Sequence, residues 1–301
     1  MFQERLLVLS KVGERILNWE PFHESHSIEL AAVQVTFSEP LTDIAWRKVV
    51  RGAEATCKAA GLTEKSAINV LQFTIGPQGA AAAQAVPAAV DGMLFKRSTT
   101  IETSAADGKQ SSIVVVAESF TVSRSGLNYQ TTTYTRWNAF FDRVVLLLRP
   151  ALREALHAVR TASLRLEYKD SFRFRGNGAP LAADLLNQRS ALIAPQVFLN
   201  EKLWHSHTGF FEDAEGCEAR LVQINIDANM MTTQTEAPPF RTVNITTGVQ
   251  NNLLPSSEQD LDNEEDQVKL QLAMLDSLHL RSISLFKEII SSEAAIRVGM
   301  E

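Results

Sequence analysis

From Leu164 to Arg175 the chain reads LRLEYKDSFRFR, and apolar and polar residues alternate along it. Leu164, Leu166, Tyr168, Phe172 and Phe174 share one side. Arg165, Lys169, Arg173 and Arg175 share the other, with Glu167 and Ser171 between them. Successive side chains of an extended backbone point to opposite sides, so a period of two marks a strand with one covered and one open face. The chain must therefore build a sheet that packs a core on one side.

Helical stripes supply what could cover it. Trp137, Phe140, Phe141, Val144, Val145, Leu148, Leu152, Leu156 and Val159 recur on one face of a long helix. Pro150 is expected to kink or divide it, because proline removes a hydrogen bond and crowds the preceding turn. A second long helix is expected over 268–292. An earlier one starts at Thr42 or Asp43, runs through Trp46, Val50 and Cys57, and stops at Gly61. Strands are expected at 28–37, with a slip at Ala31–Ala32, and at 67–75, 93–103, 111–122, 217–235 and 240–249. A short amphipathic helix fits 3–18, a loop fits 76–92, and Asp107-Gly108 fits a turn between strands. The acidic run 256–267 reads as a solvated connector before the last helix, whose dipole it favours.

These elements predict an α+β fold with mostly antiparallel sheets packed by long helices. Strands followed by a long helix occur twice, which suggests two similar halves, 1–180 and 181–301, joined near 176–200.

Composition narrows the function classes. The chain has 301 residues, enough for a large core, and a formal net charge of −6, which argues against a nucleic-acid binder over its whole surface. Cys57 and Cys217 match no zinc or CxxC spacing, which fits a reducing, cytoplasmic setting. No apolar run reaches the roughly 18 residues that span a bilayer, and no membrane association is expected. The first residues lack the long apolar segment of a signal peptide. No phosphate loop ending in Gly-Lys-Ser/Thr and no Gly-x-Ser-x-Gly elbow is present, and no cofactor is implied.

Three histidine groups and one basic face are the candidate sites. His205 and His207 form an H-x-H pair whose rings share one side of a strand, with Glu212 or Asp213 as a conceivable third metal ligand. Two ligands make no site, so no metal is expected. His279 falls on the apolar stripe of the last helix and reads as a hydrogen-bonded core or interface histidine. His23 and His26 read as a solvated loop. Residues 143–175 hold eight Arg or Lys against three acids, a local +5 that leaves −11 for the rest. Arg165, Lys169, Arg173 and Arg175 are thus candidates for binding an anionic partner.

The strand VVVAESFTVSRSGLNY, the aromatics Tyr129, Tyr134, Trp137, Phe140 and Phe141, the strand Leu164-Arg165-Leu166-Glu167-Tyr168, and Leu278-His279 with Phe286 follow in order. In these the chain resembles a sporadically distributed, functionally uncharacterised bacterial family. The resemblance spans roughly 28–300 and carries no catalytic residues across. Its patchy distribution resembles that of conflict and phage-defence genes. The expected function is a non-enzymatic interaction or assembly protein, an accessory subunit with a protein partner encoded nearby. Self-association is expected because Leu270, Leu278, Leu285 and Ile289 lie off the main stripe of the last helix. The alternative is a nucleotide- or nucleic-acid-binding module, or a metal-dependent hydrolase, using the basic strand or the His205/His207 pair.

Overall fold

A computed structural model describes residues 18–69, 90–104, 110–176, 178–200, 202–232, 239–253 and 263–300. The expected helix at 3–18, the strand at 67–75 beyond Asn69, the loop up to residue 89, the Asp107-Gly108 turn and most of the acidic run lie outside them.

The elements run β1 (Trp19–Pro21), β2 (Ile28–Phe37), α1 (Asp43–Ala59), β3 (Glu64–Asn69), β4 (Val90–Ser104), β5 (Gln110–Ser123), β6 (Gly126–Thr131), α2 (Trp137–Leu156) and β7 (Thr161–Phe174). They continue with α3 (Ala182–Leu185), a 3-10 turn at Pro195–Leu199, β8 (His205–Glu212), β9 (Ala219–Met231), β10 (Phe240–Asn252), α4 (Glu264–Ile289) and α5 (Ser292–Arg297). All strands join one ten-stranded sheet in the order β3-β4-β5-β6-β2-β7-β10-β9-β8, with β1 also on β7. Every pairing is antiparallel. The fold is α+β. The sheet is continuous across residue 180, because β7 pairs with β2 on one side and β10 on the other.

The alternation read from the sequence decides which face is covered. Leu164, Leu166, Tyr168, Phe172 and Phe174 of β7 are buried in the same core as Val33 and Val35 of β2 and Ile245 and Val249 of β10. Onto this face α1 packs against β4 and β5, α2 against β6, and α4 against β7 and β10, with α2 touching both other helices. No helix of the described residues is long and apolar enough to cross a membrane.

Several local expectations change. The segment 114–129 is two strands, not one. It turns at Ser123–Gly126, where a Cβ on Gly126 would sit 2.2 Å from the Val35 carbonyl oxygen, so only glycine allows that approach. The irregularity in β2 lies at Glu29, not at Ala31–Ala32. Ile28 pairs with Asp170 and Leu30 with Lys169, which leaves Glu29 as an extra residue. The long helix is neither ended nor divided by Pro150. The bond lost to proline belongs to the carbonyl of Leu146, a residue 48% exposed, where water can replace it. Part of the acidic run is helix. Asn263 caps α4 by accepting from the Asp266 N–H at 2.9 Å, and Glu265 and Glu264 reach Arg149 and His157 of α2. The off-stripe residues Leu278, Leu285 and Ile289 are fully buried inside the chain, and Leu270 is partly buried.

One buried ion pair ties the first half together. Glu118 of β5 is 3% exposed and accepts from Arg143 at 2.5 and 2.9 Å, from Arg97 at 3.2 and 3.3 Å, and from the Tyr129 hydroxyl at 3.0 Å. Arg143 also donates at 2.5 Å to the carbonyl of Ala60, where α1 ends before Gly61 at φ 86°. Burial alone would raise the Glu118 carboxyl, but Arg143, Tyr129 and Arg97 outweigh it and hold it below the usual range. Glu118→Gln should remove the charge that compensates Arg143. Chemical denaturation should then show a loss of roughly 3 kcal/mol of stability, whereas Arg97→Gln, at an exposed partner, should lose about 1 kcal/mol or less.

Candidate functional site

Alternation along β7 places Lys169 on the open face and Asp170 on the covered one, and each borders a cavity. The open-face groove, about 820 Å³, is lined by Lys169 and Arg173 of β7, by Arg175 just past its end, and by Arg297 of α5. Glu20, Glu24 and Glu29 intervene. Lys169 Nζ lies 2.8 Å from Glu29, the inserted residue of β2, and Arg175 Nε donates to Glu20 at 3.1 Å. The Arg173 guanidinium stacks 3.5 Å above the Phe240 ring. Beneath them the Thr242 hydroxyl is buried with no hydrogen-bond partner among the described residues.

Three of the four basic residues singled out from the sequence therefore meet at one groove, and the fourth does not. Arg165 is held by Glu167 at 2.6 Å and Gln223 at 2.7 Å, and its guanidinium lies flat over Gly248. A Cβ at Gly248 would fall 2.0 Å from Arg165 Nη2, so the glycine makes room for the side chain.

His205 and His207 do share one side of β8, with ring centroids 6.3 Å apart, and His205 Nδ1 lies 2.6 Å from Asp227. Glu212 is turned away and engages Arg281 at 2.8 Å. Among the described residues no group of three or more His, Cys, Asp or Glu is placed to hold a metal ion. His23 and His26 are not simply solvated. They are half-buried, their rings lie 4.6 Å apart, and burial lowers His26. Cys57 is a core side chain whose thiol burial pushes up to about 12.

The second cavity, about 530 Å³, lies between the covered face of the sheet, α2 and α4. Asp170 is 3% exposed there and accepts one hydrogen bond, from the Ser27 hydroxyl at 2.6 Å. Among the described residues no cation pairs with it. Burial, only partly offset by Ser27, raises its carboxyl to about 7. Opposite, His279 of α4 stacks on Trp137 at 4.0 Å and 8°, and its Nδ1 is 3.1 Å from the Tyr168 hydroxyl. It is the hydrogen-bonded histidine the sequence implied, but it lines a cavity, and burial lowers it to about 4. Tyr134 meets Tyr168 edge-on at 5.7 Å, and burial raises its hydroxyl to about 12. Ser282 is 2% exposed, with its hydroxyl unpartnered among the described residues.

Sequence reasoning missed this site, although a signal was present. Asp170 falls in phase with Leu164, Leu166, Tyr168, Phe172 and Phe174, so it is an acid in the buried register of the strand. The charge count over 143–175 registers it only as one of three acids among the basic residues. Neither a protein-family model nor a curated protein matches the sequence.

Asp170 and His279 give opposite dependences on pH. A raised carboxyl favours folding most below its ordinary pKa near 3.8 and loses that contribution as pH rises to about 7. A lowered imidazole contributes above about 6.5 and loses that contribution as pH falls toward about 4. Asp170→Asn should therefore gain stability on the parent as pH rises from about 4 to 7, with a slope of at most about 1.4 kcal/mol per pH unit. His279→Gln should gain on the parent as pH falls from about 6.5 to 4, more weakly because the ring is half-exposed and screened. Denaturant titrations across pH, read as variant minus parent, check both signs.

Proposed function

We propose that this chain is a non-enzymatic interaction protein that takes an acidic segment of a protein partner on the open face of its sheet. The observation that supports it is the convergence of Lys169, Arg173, Arg175 and Arg297 around one groove on a face that carries no helical layer among the described residues. Their acidic neighbours are half-exposed, and such surface pairs are each worth about 0–1 kcal/mol. An incoming carboxylate row can exchange with Glu20 and Glu29 at little cost, and Phe22 and Phe240 give it apolar walls. The family resemblance extends the reading to an accessory subunit of a bacterial conflict or phage-defence system, with its partner encoded nearby.

We also read the two halves as versions of one unit. What supports this is the strand order once the division is drawn ahead of β7 and not near residue 180: β4-β5-β6-β2 on one side and β8-β9-β10-β7 on the other, each with its leading strand at the centre and a long helix after its meander. The halves then meet where the leading strands β2 and β7 pair. Self-association belongs to the same reading. Since Leu278, Leu285 and Ile289 of α4 are buried within the chain, a second copy would meet the terminal strand β8, where Phe211 is 66% exposed. Light scattering should then give twice 33.3 kDa, and Phe211→Asp should return it to 33.3 kDa.

The groove is tested with the variant Lys169→Glu, Arg173→Glu, Arg175→Glu, first shown to unfold at the parent's temperature. The parent should bind poly-L-glutamate at low salt and release it as salt rises, because screening weakens exposed charges. The variant should bind at least about tenfold more weakly, the equivalent of about 1.4 kcal/mol. Equal binding by the folded variant would sink the reading. Preference for poly-uridylate RNA over poly-glutamate would replace it with the nucleic-acid one.

A further inference from the structure

We propose that the cavity between the sheet, α2 and α4 is a binding site for a small organic cation, an ammonium or amidinium group on an aromatic or apolar body. This inference stands whether or not the open-face groove binds a protein.

The first support is an unbalanced carboxylate. A carboxylate offers about four acceptor positions, and Asp170 has one of them filled, by Ser27. Burying an ionised carboxylate with so few donors is costly, and a bound N–H cation supplies what is missing. The groups around it do not. His279 and His26 are both held toward their neutral forms by burial. Arg136 lines the cavity but is exposed and makes no ion pair with Asp170. The Tyr168 hydroxyl meets His279 and Tyr134 and makes no hydrogen bond to Asp170.

The second support is independent. Ser282 of α4 lines the same cavity with a nine-tenths-buried hydroxyl that has no partner among the described residues, and so offers a second polar anchor. Tyr134, Tyr168 and Phe286 give aromatic walls, which favour a cation over a neutral body of equal shape. At about 530 Å³ the cavity lies within the usual range for small-molecule sites, about 300–1,000 Å³. An anion is disfavoured by Asp170. A metal ion would find one carboxylate and hydroxyls, with no cluster of three ligating side chains among the described residues.

The test uses benzylamine, with benzyl alcohol and benzoate as neutral and anionic probes of similar shape, in calorimetric titrations of the full chain. Benzylamine should bind and raise the melting temperature, and the other two should bind roughly tenfold or more weakly, the worth of a charged hydrogen bond. Asp170→Asn, which keeps the side-chain shape, should weaken benzylamine by a similar factor. Ser282→Met leaves the carboxylate in place but fills the cavity, and should also abolish binding. Without any variant, the parent should bind benzylamine about tenfold more tightly at pH 8 than at pH 5.5, as Asp170 ionises while His279, lowered to about 4, adds no charge and burial holds His26 toward its neutral form. Failure of benzylamine to bind at millimolar concentration, equal binding of benzyl alcohol, or undiminished binding to folded Asp170→Asn each overturns the proposal.

Discussion

Everything in this molecule is arranged around the double pairing of β7. The strand exchanges backbone hydrogen bonds with β2 along one edge and with β10 along the other, over registers that run nearly its full length. Its buried side chains sit under α2 and α4, and its outward ones form the centre of the open face. Because side chains alternate strictly, a one-residue slip would put arginines under the helices and leucines in water. The register is thus set by the pattern Leu164 to Phe174 itself. The pairing with β2 has two irregularities: Ala162 is skipped near the start of β7, and Glu29 is inserted into β2 opposite the Lys169–Asp170 step. That insertion places Glu29 with Lys169 and Ser27 with Asp170, one on each face.

Away from this centre, the first half depends on Arg143. Its guanidinium reaches from α2 to Glu118 of β5 and to the carbonyl of Ala60, the cap just past α1, so one side chain fixes two helices and a strand relative to each other. Five hydrogen bonds from Arg143, Arg97 and Tyr129 converge on Glu118, which makes the buried carboxylate a satisfied one. Asp170 is the contrast. The same residue class, as little exposed but more deeply enclosed, has a single hydroxyl, and its carboxyl moves up where that of Glu118 moves down. Satisfaction together with depth separates a structural acid from a candidate site.

What could be read from the sequence follows from what periodicity reports. The covered face of β7, the helix through Cys57 and the long stripes of α2 and α4 were legible because each repeats a local pattern many times. The hairpin at Ser123–Gly126 was not, because apolar residues continue through it and the reason for the glycine is the carbonyl of Val35, far away in sequence. The continuity of the sheet across residue 180 rests on the pairing of β7 with β10, which no local pattern encodes. Lys169, Arg173 and Arg175 were legible as a row, but the contributions of Arg297, Glu20 and Phe240 to the groove were not. Pro150 does not divide α2 for a physical reason, since a helix tolerates proline where the freed carbonyl faces water.

The two faces of β7 also differ in what they do to charge. On the open face every cation named has an acidic or aromatic neighbour, and water screens the whole, so net charge there is cheap to rearrange. On the covered face Asp170 and His279 both move toward their neutral forms, in opposite directions on the pH scale. Burial moves this carboxyl up toward neutral pH, so a single positive charge entering that cavity shifts its ionisation. The same ligand charge on the open face would be one among many. Adjacent residues of one strand thus face two electrostatic regimes, and only the inner one is short of a cation.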